Sequence, residues 1–375
     1  MFIKRAWAEI DVSALVHNFK KIKEQMNGAN VMAVVKADAY GHGVDIVVPV
    51  LKQLGASSFA VADIGEALEV RKYGGNSPVL ILGYTPCEAV NLLAENNIIQ
   101  TVYDYNYAKQ LNQAARRQNV KLKCHIKLDT GMGRLGFDCR SNELFGLAEL
   151  KELKQFECLE FEGIYTHFAV ADSETRTDFQ FTNNQFVRFK TVCEELEKFG
   201  FSFKYTHCCN SAGVLLHGDK YLDLGRSGII LYGLMPDEKI NNKNGLIPVM
   251  EFKTVVTMVK TLRKGESVSY GNTFTANNDL KVATLAVGYA DGYPRALSNK
   301  GYVLINGKKC RVLGRVCMDQ TVVDVTGVDL KIGDQAILFG KELAVEEVAK
   351  LADTVNYEII CGLKSRVIRI AVNNK

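Results

Sequence analysis

The chain has 375 residues, 47% hydrophobic and 23% charged, a composition typical of a soluble globular protein large enough for two domains. The net charge of +4 is spread over interspersed acids and bases, which excludes the clustered basic surface of a nucleic-acid binder. No apolar run reaches the roughly 20 residues that a membrane span requires. The first residues do not resemble a signal peptide, and the ten cysteines show no metal-ligand spacing. We therefore expect a cytoplasmic protein with reduced thiols and no metal.

The first two-thirds of the chain alternate short apolar, β-rich runs with amphipathic helical stretches. A helix is expected before the first strand, capped by Ser13, because four apolar residues share one helical face: Leu15, Phe19, Ile22 and Met26. The eight strand candidates that follow are Val31–Val35, Ser58–Ala62, Val79–Leu82, Ile98–Val102, Cys124–Leu128, Phe161–Thr166, Tyr205–Cys209 and Leu222–Leu224. Continuous apolar strands are typical of parallel sheets covered by helices. Eight such units favour a (β/α)8 barrel over an open doubly wound sheet.

The pattern changes to a β-rich one after a polar connector that covers residues 235–248. Close-spaced β runs follow it, at Phe252–Met258, Ser267–Tyr270, Val282–Val287, Val303–Ile305, Cys310–Leu313, Thr321–Val325 and Ala336–Phe339. The pair Asn306-Gly307 predicts a type I′ hairpin turn, and one helix is expected near Val345–Asp353. We therefore predict an α/β fold with a (β/α)8 TIM-type barrel over residues 1–235 and a mostly β domain over residues 236–375.

Lys36 directly follows the first strand candidate, where catalytic groups of such barrels lie. A lysine held there in apolar surroundings can form a Schiff base, although a rim lysine is more often a surface residue. The segment Ala33–Gly43, with the sequence AVVKADAYGHG, resembles the pyridoxal-phosphate (PLP) lysine motif of the alanine racemase family. Further family blocks follow in order, at Leu128–Gly136, Tyr165–Phe168, Asn210–Ala212, Arg226–Gly233, Val268–Gly271, Gly288–Arg295 and Cys317–Gln320. This ordered series extends over both predicted domains.

Two features depart from the family pattern or suggest another class. Gly131–Gly136 satisfies the G-x-G-x-x-G pattern of dinucleotide sites. That pattern opens the first βαβ unit and leads directly into a helix, whereas here it follows the fifth strand and residues 137–142 delay the helix. We therefore favour a loop without a dinucleotide. The family usually has a proline between its last two arginines, where this chain has Arg366-Val367-Ile368-Arg369, which puts only local structure in doubt.

The resemblance implies that PLP is the cofactor and that Lys36 holds it. The positions implied to bind its phosphate or to lie beside it are Tyr40, Asn210, Ser211, Gly228, Ile229 and Tyr357. Arg226 is implied to face the pyridine nitrogen, with His167 supporting it. An arginine stays protonated and only donates, so the ring remains a weaker electron sink than one facing a carboxylate. Without the resemblance, Ser211 would be interpreted as a helix cap, Gly228 as a turn glycine and His167 as a core residue.

The implied reaction is the interconversion of L- and D-alanine, which supplies D-alanine for peptidoglycan. Lys36 is implied to exchange the proton on the D face of the substrate. Tyr270 of the second domain is implied to act on the L face in the partner's site, so that a homodimer shares its active sites. Arg134 is implied to bind the substrate carboxylate, and Met318 to line the partner's site. Lys127 matches a lysine that some family members carry as a carbamate.

Three other functions of the same barrel class remain open at this point. Amino-acid decarboxylases usually place an acid at the pyridine nitrogen, and Arg226 argues against them. Non-catalytic PLP-binding barrels lack the second domain and therefore Tyr270. Racemases of broader specificity tend to be exported, and we find no signal peptide. We favour an alanine racemase, with a decarboxylase or a broader racemase as the alternative.

Overall fold

The computed structural model describes residues 5–373. Its helices are α1 Val12–Gln25, α2 Lys36–Tyr40, α3 Val44–Gln53, α4 Ile64–Gly74, α5 Val90–Glu95, α6 Tyr105–Arg117, α7 Leu147–Glu152, α8 Arg176–Lys198, α9 Ser211–Leu216, α10 Val345–Ala352 and α11 Asn356–Cys361. Its strands are β1 Ala6–Asp11, β2 Asn30–Val34, β3 Ser58–Val61, β4 Val79–Ile81, β5 Ile98–Val102, β6 Leu122–Asp129, β7 Phe137–Asp138, β8 Leu159–Tyr165, β9 Tyr205–His207, β10 Leu224–Ser227, β11 Met250–Leu262, β12 Ser267–Val268, β13 Phe274–Thr275, β14 Leu280–Leu285, β15 Tyr302–Ile305, β16 Lys308–Leu313, β17 Thr321–Asp324, β18 Gln335–Phe339 and β19 Ile368–Val372. Within this range, no helix has the length and apolar character needed to cross a membrane.

The predicted barrel is confirmed. Eight parallel strands pair in the order β10-β2-β3-β4-β5-β6-β8-β9. The ends of this sheet approach each other, because the Asp223 amide donates to the Thr206 carbonyl at 3.1 Å and the Arg226 amide donates to the Cys209 carbonyl at 3.0 Å. Strands β3, β4 and β5 are buried along their whole length, which explains their mostly apolar sequences, and the polar Gln100 and Thr101 of β5 are buried with them.

The second sheet has the order β14-β17-β16-β15-β18-β11-β1-β19. Strand β11 is long enough to pair with β18 through its first half and with β14 through its second half, which closes the sheet on itself. The first strand of the chain, β1, also lies here, between β11 and β19. The chain therefore begins in the second sheet and enters the barrel through α1. The division at residue 235 remains a prediction.

Several local predictions need correction. Helix α1 is capped by Asp11, whose carboxylate accepts from the Ala14 amide, because Ser13 already lies inside the helix. Strand β10 starts two residues later than predicted and runs to Ser227. The strand predicted over Ser267–Tyr270 stops at Val268, where a bend begins. We did not predict β1, β19 or α11. The hairpin at Asn306-Gly307 is confirmed, since both residues have positive φ and join β15 to β16.

Candidate active site

A cavity of about 390 Å³ opens at the carboxyl ends of the barrel strands, where enzymes of this fold place their chemistry. It brings together most of the residues singled out in the sequence: Lys36, Tyr40, Lys127, Arg134, His167, Asn210, Ser211, Arg226, Gly228 and Tyr357. They come from different strands and loops, and Tyr357 comes from α11 of the second domain. The barrel topology therefore assembles groups that are up to about 320 residues apart in sequence.

The segment that carries Lys36 is a left-handed turn. Residues 37–40 all have φ between 52° and 54°, a conformation that costs about 1–2 kcal/mol for each residue other than glycine. Glu66 holds this turn, because its carboxylate accepts from the Ala37 amide at 2.6 Å and from the Ala62 amide at 2.8 Å. Strain of this kind is characteristic of functional sites. Lys36 itself is exposed, so the expected apolar surroundings are absent in the single chain.

Hydroxyl groups and a glycine amide form one wall of the cavity. The Gly228 amide donates to Ser211 Oγ at 2.9 Å, and a Cβ on Gly228 would lie 2.6 Å from Tyr40 Oη. The rings of Tyr40 and Tyr357 lie 6.1 Å apart, and burial raises the pKa of both hydroxyls, so they stay protonated donors. Ile229 is buried directly after Gly228. This wall, which we call the hydroxyl cradle (Tyr40, Ser211, Gly228, Tyr357), suits an oxyanion such as a phosphate.

Arg226 is a buried cation. Its guanidinium donates to His207 Nδ1 at 2.7 Å, to the Thr166 carbonyl at 2.7 Å and to the Cys208 carbonyl at 3.0 Å. His167 Nδ1 lies 3.4 Å from the same guanidinium, and its supporting role remains a prediction. Within residues 5–373, none of these hydrogen-bond acceptors is a carboxylate. The positive charge is therefore available to a group in the cavity.

Two further cations lie on the side of the cavity formed by β6. Lys127 donates to the Leu135 carbonyl at 2.9 Å. Burial and the nearby charge of Arg226 lower the pKa of Lys127 to about 8. Arg134 is exposed at the cavity wall. These positive groups would attract an anionic cofactor and a substrate carboxylate.

The glycine-rich segment that contains Arg134 is not a dinucleotide site. The carboxylate of Asp129 accepts from the amides of Gly131 and Gly133 at 3.0 Å, so the loop amides are used internally. The segment then continues into β7, and the next helix starts only at Leu147. The prediction of a loop is confirmed.

Tyr270 and Met318 lie apart from this cavity. Tyr270 is 71% exposed and Met318 is 53% exposed. Both line a separate depression of the second domain, together with Arg295 and Arg315. The single chain therefore does not bring Tyr270 or Met318 to Lys36, and their predicted place in a partner's site remains a prediction.

Sequence reasoning missed three residues that shape the site. His207 accepts from Arg226, Tyr165 stacks on His207 with ring centroids 4.7 Å apart, and Glu66 holds the Lys36 turn. Tyr165 and His207 occupy the last positions of β8 and β9, and this strand-end location was the available signal. No sequence signal marked Glu66, because its contacts form only when the left-handed turn at Lys36 is in place. Cys208 and Cys209, which directly follow β9, are buried.

The fold and the site define a barrel enzyme whose cavity is built around a strand-end lysine, a hydroxyl cradle and a buried arginine. Residues 10–236 match the family model described as "Alanine racemase, N-terminal domain", and residues 249–371 match "Alanine racemase, C-terminal domain". An alanine racemase of Desulforamulus reducens is 44% identical over 371 residues, 98% of each chain. The solved alanine racemase of Clostridium difficile has a TM-score of 0.93 and 35% identity, covering 100% of this chain and 97% of that one. The chain belongs to the alanine racemase family.

Proposed function

We propose that the chain interconverts L- and D-alanine with PLP bound at Lys36. The observation that carries the proposal is the single cavity that contains Lys36, the hydroxyl cradle and a buried Arg226 without a carboxylate partner among the described residues. The similarity to enzymes named alanine racemase supports it. A solved alanine racemase of Bacillus anthracis with bound L-Ala-P also supports it. That structure matches this chain with a TM-score of 0.90 and 34% identity, covering 100% of this chain and 96% of that one.

The cavity residues fit PLP. The hydroxyl cradle and the neighbouring Ile229 and Asn210 would hold the phosphate, and Arg226 would donate to the pyridine nitrogen. Lys36 would attach the cofactor through its amine. When bound, PLP supplies the electron sink that makes the Cα proton of an amino acid removable. Because Arg226 donates without accepting a proton, it limits how far negative charge is drawn into the ring, which favours reprotonation at Cα over side reactions.

Racemisation needs two proton carriers on opposite faces of Cα. In our proposal Lys36 Nζ moves the proton on the D face. The partner subunit's Tyr270 moves it on the L face, and the partner's Met318 lines the site. Arg134 orients the substrate carboxylate. The exposure of Tyr270 and Met318 in the single chain supports a homodimer with shared sites.

Lys127 is a candidate for carbamylation. Its pKa of about 8 leaves part of the amine neutral near physiological pH, and a neutral amine is the form that adds CO2. The carbamate would carry a negative charge on this cationic side of the cavity, where the fields of Arg226 and Arg134 act on Lys127. In that state Lys127 would accept from Arg134 and orient it toward the substrate.

A decarboxylase of the same fold is not favoured, because Arg226 occupies the position where such enzymes have an acid. A racemase of broader specificity is the remaining alternative. Ten free thiols are consistent with the cytoplasmic location that we propose. There the enzyme would supply D-alanine for peptidoglycan.

Borohydride reduction tests where the cofactor is attached. The purified protein, saturated with PLP, is reduced and digested, and the peptides are mapped by mass spectrometry. We expect one pyridoxyl adduct, on Lys36. An adduct confined to any other lysine would refute the proposed site.

The hydroxyl cradle gives a first prediction. Tyr357→Phe removes one hydrogen bond to a charged acceptor, which contributes about 1.5–3 kcal/mol, so PLP should dissociate roughly ten- to a hundredfold more readily. The measurement is the PLP dissociation constant by fluorescence titration. Tyr73→Phe, on an exposed face of α4, is the control and should leave the constant unchanged. An unchanged constant for Tyr357→Phe would mean that this hydroxyl does not contact the phosphate.

Arg226 gives a second prediction. Arg226→Glu places an acceptor opposite the ring nitrogen and favours its protonation. Racemisation should slow while transamination, measured as pyruvate formed per alanine racemised, should rise. Arg226→Lys is the matched control, because it keeps a cation that only donates, and should slow turnover without raising the pyruvate ratio. Equal ratios in both variants would show that Arg226 does not face the ring.

A further inference from the structure

A chain of three hydrogen-bonded side chains runs from the cavity into the barrel interior. Arg226 donates to His207 Nδ1 at 2.7 Å, and His207 Nε2 lies 3.0 Å from His125 Nδ1. All three residues are buried, and the His207 ring is stacked on Tyr165. His125 belongs to β6 and His207 to β9, and only β8 lies between these two strands in the sheet, so the chain spans β8 on one side of the barrel.

The protons of this chain can be arranged in only one way. Arginine donates and never accepts, so His207 Nδ1 must carry the lone pair and its Nε2 must carry the hydrogen. That Nε2–H donates to His125, whose Nδ1 is therefore also an acceptor. The two rings are neutral, because burial and the charge of Arg226 lower the pKa of His125 to about 3 and that of His207 well below its usual value.

The far end of the chain is a buried donor. Because Nδ1 of the neutral His125 accepts, its hydrogen is on Nε2. Within residues 5–373, neither His125 Nε2 nor Ser58 Oγ has a hydrogen-bond partner. Both residues line a cavity of about 10 Å³ at the opposite end of the barrel from Lys36. This is about the volume that one water molecule needs.

We propose that His125 is a positioning residue for Arg226: by accepting from His207 Nε2–H, it fixes the tautomer in which His207 accepts from the guanidinium. Without that acceptor, His207 would gain a stable alternative with hydrogen on Nδ1. Two donors would then face each other, and Arg226 would turn away from the cofactor. The consequence for racemisation depends on the proposed function, whereas the tautomer of His207 does not.

The backbone of β8 leaves room for this arrangement. A Cβ on Gly163 would lie 2.5–2.6 Å from three outer ring atoms of His125, Cε1, Nε2 and Cδ2. Asparagine has an acceptor oxygen at the position of Nδ1 and lacks Cε1 and Nε2, whereas its amide nitrogen takes the place of Cδ2. The chain therefore offers a matched set of variants: His125→Leu removes the acceptor, His125→Asn retains it, and Gly163→Ala displaces the ring without removing any polar group.

The first readout is the nitrogen NMR spectrum of the holoenzyme with labelled histidine, in which only six histidines contribute ring signals, two nitrogens each. A His207→Asn spectrum assigns His207. We expect a neutral His207 with its hydrogen on Nε2 in the wild type and in His125→Asn. In His125→Leu and Gly163→Ala the signal should shift toward the other tautomer. A wild-type His207 with hydrogen on Nδ1 would overturn the proposal, whether or not the chain racemises alanine.

The second readout is the ratio of pyruvate formed to alanine racemised. His125→Leu and Gly163→Ala should raise this ratio on the order of tenfold, and His125→Asn should restore it to near the wild-type value. Gly163→Ala added to His125→Asn should have a smaller further effect than Gly163→Ala has in the wild type, because two of the three colliding ring atoms are gone. If Gly163→Ala is equally harmful in both backgrounds, or if His125→Asn and His125→Leu are equally impaired, His125 contributes packing only and the proposal is wrong.

Discussion

Lys36→Ala should abolish racemisation in both directions, the largest loss that any single substitution is expected to cause. Under our proposal, the variant would lose the covalent attachment of the cofactor and the proton carrier of the D face together. The left-handed turn should persist, since the Glu66 contact is made by the backbone amide of Ala37. The measurement is the rate of D-alanine formation from L-alanine, and the reverse, by chiral chromatography.

Lys52→Ala, on the exposed side of α3, is the control for Lys36→Ala and should keep full activity. Circular dichroism should show that both variants are folded. Substantial racemisation by Lys36→Ala without an added amine would remove Lys36 from the centre of the mechanism.

Tyr270→Ala has the second largest expected effect, and unlike Lys36→Ala it should affect only one face of the substrate. PLP should stay bound, because its attachment and the hydroxyl cradle lie outside the depression that contains Tyr270. Proton exchange on the L face should be lost. In deuterated water, D-alanine should still acquire deuterium at Cα through Lys36, whereas L-alanine should stay largely unlabelled. Tyr302→Ala, an exposed tyrosine on β15, is the control and should label both enantiomers.

Mixing the two inactive variants tests the shared site. A mixed dimer would have one site with Lys36 and Tyr270 both intact, from different chains, and one site lacking both. Up to about half of the sites in mixed dimers should therefore be active, as two-fold symmetry requires. No recovery after confirmed subunit exchange would place Tyr270 in the same site as its own Lys36.

Local sequence patterns predicted the barrel well, because each buried parallel strand is a continuous apolar run with its own helix. They did not predict β1, because its partners β11 and β19 lie more than 230 residues further along the chain. The turn at Lys36 was equally hidden. Ala37 and Ala39 favour an ordinary helix, and only tertiary contacts such as that of Glu66 hold them at positive φ.

The candidate site residues were identified from family motifs, and residues outside those motifs could not be identified in this way. They named Arg226 but not the histidines behind it, because His125 and His207 meet over the intervening strand β8 and neither has a local pattern. They also named Tyr270 and Met318, which lie exposed and outside the cavity of the single chain. Geometry was needed for the histidines, and our proposal assigns Tyr270 and Met318 to the site of a second subunit.

The most direct test of the account starts from the two pure enantiomers of alanine. The purified chain, supplied with PLP, is incubated with L-alanine in one vessel and D-alanine in another, and both are followed by chiral chromatography. We expect the two solutions to converge on equal amounts of both enantiomers, because enantiomers have the same free energy in an achiral solvent. Loss of one enantiomer with release of CO2, and without formation of the other, would contradict the account and identify a decarboxylase.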